Sequence, residues 1–297
     1  LLINYVPESR AYNPPGLVEE FFRTIARELD FRQEASSLRE IRANFEGEAD
    51  CTLVIPEVYR DLSSESVLTM DRLDGVTLSD IETVTTLPCD LKSTADAGGR
   101  YLLKMIFEDG VFHGDLHSGN VFIYPDGRIG LIDFGIVGRL DERSRDRIAE
   151  LMLFLFSGDF ERAARLYSEM GSPADPDRTV DISGFGNRLG ALWGGLQNKT
   201  LRDLNVGELL LESSAAAGRA NIMLPQDLML LFKALLTLES MGNTLDPDFD
   251  PGRLIQEHVQ GMAARRLSPE RLQRDLLGAS VDLLTLGREA PPLILRS

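Results

Sequence analysis

The sequence predicts an α+β chain in which a short strand-bearing part leads into a long helical part. Two observations predict it. Thr52–Ile55, Ser66–Met70, Val121–Tyr124 and Ile129–Ile132 are short strand-like runs, several of them bounded by turn residues. After Gly138, almost everything carries helical periodicity. The change in pattern sets a hinge near Asp71–Val76, and so a first part over 1–75 and a second over 76–297.

The elements follow in order. Asn13-Pro14-Pro15-Gly16 is a breaker cluster. From Leu17 to Glu46 the pattern is helical, with Leu17, Phe21, Ile25 and Leu29 near four-residue spacing and then Ala35, Leu38 and Ile41. Ser66–Met70 reads as a strand that runs into Asp71-Arg72-Leu73-Asp74-Gly75. A helix is expected from Thr94 to Glu108, with Tyr101, Leu102, Met105 and Ile106 on one side. Val121–Tyr124 and Ile129–Ile132 form a hairpin, and Tyr124-Pro125-Asp126-Gly127 suits a type I turn. Helices are then expected over Asp141–Ser157, Asp159–Met170, Val180–Leu196, Val206–Ala220, Pro225–Met241 and from Leu254 onward.

Composition narrows the function. The 297 residues are 43% hydrophobic and 26% charged, which is ordinary globular usage. The net charge of -16 disfavours nucleic-acid binding and adhesion to an anionic membrane through a broad basic face. Cys51 and Cys89 have no metal-ligand spacing, so a disulfide scaffold and a cysteine zinc site are not expected. Two thiols in a chain this size suit a reducing, intracellular setting. No run approaches the length needed to span a bilayer.

The chemistry is carried by His113-Gly114-Asp115-Leu116-His117-Ser118-Gly119-Asn120, followed by Ile132-Asp133-Phe134-Gly135. Asp115 and Asn120 lie on a loop between a helix and the hairpin, and the hairpin returns Asp133 beside that loop. Three oxygen-bearing side chains therefore converge. Phosphoryl transfer needs this set: a carboxylate to orient the nucleophile, and hard oxygen ligands for a divalent metal that bridges phosphates. Asp115 is the candidate base. Asn120 and Asp133 are the candidate Mg2+ ligands, and Gly135 is expected to let the backbone turn. The rival reading is a helix cap and a hairpin turn with solvated acids. A lone HxDxxxxN string arises by chance, but the same string followed by IDFG on the next hairpin is far more specific.

These residues resemble the protein-kinase-like superfamily. Two branches share the His-Gly-Asp-Leu-His-x-Gly-Asn pattern, the aminoglycoside/choline kinases and the UbiB family of atypical kinases. Glu28-Leu29-Asp30-Phe31-Arg32-Gln33-Glu34-Ala35 is similar to the ExD motif of the UbiB family. The stretch from Leu224-Pro225-Gln226-Asp227 through Glu239, then Leu245-Asp246-Pro247-Asp248, is similar to that family's C-lobe. The resemblance runs from about Leu17 to about Glu289. It implies a two-lobed kinase-like fold, with a partial N-lobe of a few antiparallel strands and a large helical C-lobe.

The resemblance further implies an atypical kinase or ATPase that binds Mg-ATP or Mg-ADP between its lobes and supports ubiquinone or prenyl-lipid metabolism. Glu28 and Asp30 match the ExD acids, and Glu34 matches the acid that pairs with an ATP-binding lysine. Met70, Asp71 and Leu73 match the segment whose backbone meets adenine. His113 joins the catalytic set, with bracing of the loop as its expected role. Implied partners are a prenyl lipid or lipid-biosynthesis proteins, from a cytoplasmic position peripheral to the inner membrane. The alternatives are a small-molecule phosphotransferase and a non-catalytic pseudokinase scaffold.

Helical spacing expects Asp30 and Glu34 on one face. The front of the family pattern is absent from this sequence. There is no KxGQ before Glu28, and the only lysines are Lys92, Lys104, Lys199 and Lys233. A truncated front and weak or no nucleotide affinity are therefore expected. No Ala-Pro-Glu follows Gly135, which argues against a peptide-substrate platform. Trp193 beside Gly194-Gly195 reads as core in preference to a lipid groove, and Met223, Met229 and Met241 also read as core.

Overall fold

A computed structural model describes residues 30–48, 51–194 and 205–266 of the chain. Glu28 and the expected helical run from Leu17 to Leu29 lie outside the described residues. So does the chain beyond Arg266.

Helix α1, Phe31–Phe45, opens the described part and buries Leu38 and Ile41. Asp30 is its N-cap: the backbone there is extended, and the side chain accepts from the Arg32 amide. A short carboxylate that satisfies a first-turn N–H favours this cap over a helical interior. Asp30 therefore does not share a helical face with Glu34, contrary to the spacing argument.

Strand β1, Leu53–Val54, runs parallel to a later strand. Ser66–Met70 does not form the expected strand. It contributes a single antiparallel bridge, Val58 to Met70, and Ser63, Ser64 and Thr69 tie its loop to itself with side-chain hydrogen bonds. Next come β2, Val76–Thr77, and the short helix α2, Ile81–Val84.

Helix α3, Leu91–Lys104, is capped by Asp90 and widens into a π turn over Met105–Asp109. Gly110 ends that turn with φ 73°, a conformation that glycine adopts without a Cβ clash. Lys104 bonds Asp109 at 2.8 Å and the Asn44 carbonyl at 2.9 Å. It thereby joins this turn to the end of α1.

Strand β3, Val111–His113, leads into the motif loop, which closes in a 3-10 turn over Ser118–Asn120. The expected hairpin is β4, Val121–Ile123, with β5, Ile129–Leu131. Its turn is closed by the Gly127 amide on the Tyr124 carbonyl at 2.9 Å. The main sheet has the order β1-β5-β4-β2. A strand that the sequence reading missed, β6, Val137–Arg139, pairs antiparallel with β3.

The remainder is helical. It comprises α4, Glu142–Ser157; α5, Phe160–Met170; α6, Ile182–Trp193; α7, Val206–Arg219; α8, Gln226–Leu245; and α9, Pro251–Arg266. Between them, β7, Ser172–Pro173, pairs with β8, Ile222–Met223. Helix α8 packs on both α7 and α3, and α9 covers α3 and α4. At the α7–α8 contact, a Cβ on Gly207 would collide with the Leu236 backbone, so only glycine permits this approach.

Trp193 is fully buried and its indole N–H donates to Ser213 at 2.9 Å, so it is a core residue. Met223 is 58% exposed, which corrects its assignment to the core; it lies on the edge strand β8. No described helix is long and apolar enough to cross a membrane.

Candidate active site

Two antiparallel pairings build the site. Pairing of β3 with β6 sets His113 opposite Val137, and the Gly114 amide donates to Ile136 at 2.9 Å. Pairing of β4 with β5 sets Val121 opposite Leu131, and the Ile132 amide donates to the Asn120 carbonyl at 3.1 Å. The motif loop and residues 132–137 are thus held together from both ends.

Asn120 is buried, and its amide Nδ2 donates to Asp133 Oδ2 at 3.3 Å. Asp133 is exposed and has φ 61°. The left-handed residue of the segment is therefore Asp133, not Gly135, whose φ lies outside that region. A non-glycine residue in this region costs energy, and such residues cluster at functional sites.

Asp115 is half-buried and accepts from Lys233 Nζ at 2.6 Å. That hydrogen bond holds its carboxyl below the ordinary range, against a smaller opposing effect of burial. Lys233 comes from the middle of α8.

His113 is fully buried. Its Nδ1 accepts from the Asp115 amide at 3.2 Å, so Nε2 carries the proton and donates to the Ile132 carbonyl at 3.0 Å. Its ring packs on Phe134 with centroids 4.7 Å apart. Burial lowers its pKa and favours the neutral ring. With both nitrogens engaged, His113 links the motif loop to the Asp133 segment. His117 caps the 3-10 turn by accepting from the Gly119 amide at 3.2 Å.

Glu34 projects from α1 toward Asp133 and Phe134. Burial raises its pKa, the Asp133 charge raises it further, and the Phe134 amide partly offsets both. Two acids therefore face each other beside the loop, a conflict that a cation would relieve. Helix α1 is fixed there by Glu40, whose carboxylate takes a forked pair of bonds from Arg139 at 3.0 and 2.6 Å. The Arg139 amide also reaches Asp227 at the start of α8, at 3.4 Å.

The other candidates take their side-chain partners elsewhere. Asp30 binds Arg32 at 2.8 Å, and Arg32 continues to Glu65 at 3.1 Å. Asp71 uses its side chain to accept from Tyr59 at 2.6 Å and from the Glu57 amide at 3.1 Å. Leu73 packs over Gly130 of β5, where an added Cβ would approach it to 2.8 Å, and Met70 is half-buried.

Sequence reasoning overlooked Lys233, Glu40 and Arg139. Their partners lie 118 and 99 positions away, beyond any local spacing. The available signal was Lys233 itself, a lone cation amid Leu230, Leu231, Phe232, Ala234, Leu235 and Leu236.

Among the described residues no three His, Cys, Asp or Glu side chains gather as a metal site. Asn120 and Asp133 offer hard oxygens that suit a small divalent cation completing its shell with water and phosphate. The chemistry available is that of phosphate handling, with a carboxylate, an amide and a second carboxylate at one loop.

The fold and this loop define a kinase-like protein. Residues 2–167 match the ABC1 atypical kinase-like domain, and residues 190–250 match the UbiB helical domain. The chain belongs to this ABC1/UbiB family of atypical kinases. It is 34% identical over 275 residues to "Probable protein kinase UbiB" of Aliivibrio fischeri strain MJ11, covering 91% of this chain and 49% of the relative. The protein of the same name from Pseudomonas aeruginosa strain LESB58 is 31% identical, covering 90% of this chain and 50% of the relative. The chain thus spans about half the length of these relatives.

A solved structure, the complex of Rv3197 with erythromycin from Mycobacterium tuberculosis, superposes with a TM-score of 0.57 at 21% identity. It covers 82% of this chain and 61% of that one, and the likeness extends to the fold.

Proposed function

We propose that this chain carries the catalytic loop and metal-binding residues of a UbiB-type atypical kinase or ATPase acting on Mg-ATP. The observation that supports it best is the hydrogen bond from Asn120 to Asp133, at the loop that also presents Asp115. In this reading Asn120 and Asp133 hold Mg2+, whose bound charge offsets the phosphates. Asp115 orients the acceptor oxygen and takes its proton.

His113 keeps the loop aligned with the Asp133 segment. Glu34 lies where a cation of the nucleotide complex would answer its raised pKa. The backbone around Met70, Asp71 and Leu73 is the proposed adenine contact, and Asp71's own carboxylate is committed to Tyr59 and Glu57. Support of ubiquinone or prenyl-lipid metabolism, with a prenyl lipid or lipid-biosynthesis proteins as partners, extends the proposal along the family name.

The test is phosphate release from ATP in the presence of Mg2+, comparing the chain with Asp115→Asn. Loss of a positioned proton acceptor should slow turnover by about 100-fold or more. Equal rates in the two proteins would remove the catalytic assignment of Asp115.

A further inference from the structure

Helix α8 contains three charged residues, Asp227, Lys233 and Glu239. Two have structural partners. Asp227 accepts from the Arg139 amide at 3.4 Å, and Glu239 accepts from the buried Gly207 amide at 3.0 Å. Lys233 instead reaches the motif loop, 2.6 Å from Asp115 Oδ1. The lysine side chain is 51% exposed and the aspartate 39%, and ion pairs of this exposure add little to stability. Stability therefore gives a weak reason for a lysine in an apolar stretch.

The chemistry gives a stronger one. The loop from His113 to Asn120 contains no lysine or arginine. A transferring phosphoryl group spreads negative charge over its outer oxygens and is stabilised by a fixed cation nearby. Among the described residues, Lys233 is the Lys or Arg that bonds an acid of this loop. Its ammonium has three N–H groups, so one can hold Asp115 while the others face the phosphate.

We propose that Lys233 is the cation of this phosphoryl-transfer site, orienting the Asp115 carboxylate and meeting the transferred phosphoryl group of ATP. The inference rests on the phosphoryl-transfer reading of the same loop. In the step, the oxygen of a hydroxyl or water bonds to the γ-phosphorus while the bond from that phosphorus to the ADP oxygen breaks. The electron pair of the broken bond leaves with ADP. The acceptor proton passes to Asp115, and Lys233 keeps its proton throughout. The cation thus comes from the helical part, and the acid comes from the loop.

The test measures ATP turnover and Mg-ADP stabilisation for the full chain, Lys233→Met and Lys233→Arg. Removing one charged stabilising donor should lower kcat of the Met variant by about 100-fold. KM for ATP should stay within about threefold, and the Arg variant should recover about tenfold of the lost rate, because a cation is restored with altered geometry. If the Met variant does not fold, Lys233→Gln is read by the same criteria. A neutral variant that turns over within about twofold of the parent overturns the inference while leaving the nucleotide reading intact. So does a rate loss without recovery in the Arg variant, which would make Lys233 merely structural. If the parent shows neither turnover nor Mg-ADP stabilisation, the phosphoryl-transfer reading fails, and this inference fails with it.

Discussion

Asp133 allows the backbone to be separated from the chemistry. Its φ of 61° is left-handed, where a Cβ is penalised. An alanine held there costs about 1–2 kcal/mol, whereas glycine avoids the clash but loses about 0.5–1 kcal/mol through the freedom of its unfolded chain. Both Asp133→Ala and Asp133→Gly delete the 3.3 Å bond from Asn120. Both also remove the charge that opposes Glu34. These shared effects cancel between the variants, and the backbone remains. Asp133→Gly should therefore be more stable than Asp133→Ala by about 0.5–1 kcal/mol, or about 1–4 °C in Tm. The assay is thermal unfolding without metal or nucleotide, followed by circular dichroism. An alanine variant that melts with or above the glycine variant would refute the left-handed geometry and the argument built on it.

Glu34→Gln should stabilise the ligand-free chain at pH 7, because it removes a carboxylate whose pKa is raised by burial and by Asp133. The folded state binds that proton more tightly than the unfolded state. Wild type therefore gains stability as pH falls through the raised value, and the two proteins should converge below the ordinary carboxylate range; a pH series of melting temperatures checks this. Glu239→Ala should cost about 2–4 kcal/mol, since its buried carboxylate accepts from the Gly207 and Val206 amides at the start of α7. Urea unfolding measures that loss, and a midpoint equal to wild type would contradict the cap.

The site was legible where its geometry is local. The loop from His113 to Asn120 and the returning hairpin lie within about twenty residues, so turn chemistry and strand pairing bring Asn120 to Asp133. The Ser66–Met70 run has strand-like composition, yet Ser63 Oγ accepts from the Thr69 amide and the Thr69 hydroxyl donates to the Leu62 carbonyl, which leaves the run as a loop with one bridge. Asp30 continues the helical spacing on paper but forms the cap, because its carboxylate reaches the Arg32 amide. Gly135 was the natural candidate for an unusual backbone angle, and Asp133 takes that angle instead. The links from Lys233 to Asp115 and from Arg139 to Glu40 join distant elements, and only the packing of α8 and α1 around the loop creates them.

The central claim is that Asn120 and Asp133 form a Mg-nucleotide site. The direct measurement is the melting temperature of the chain with about 10 mM Mg-ADP, with ADP and EDTA, and with neither, repeated for Asp133→Ala. A ligand at ten times its dissociation constant adds about 1.4 kcal/mol. That corresponds to a rise of about 3–5 °C. The rise should require Mg2+ and vanish in Asp133→Ala. An equal rise in EDTA or in the Asp133→Ala variant, or no rise in the parent chain, would contradict the claim.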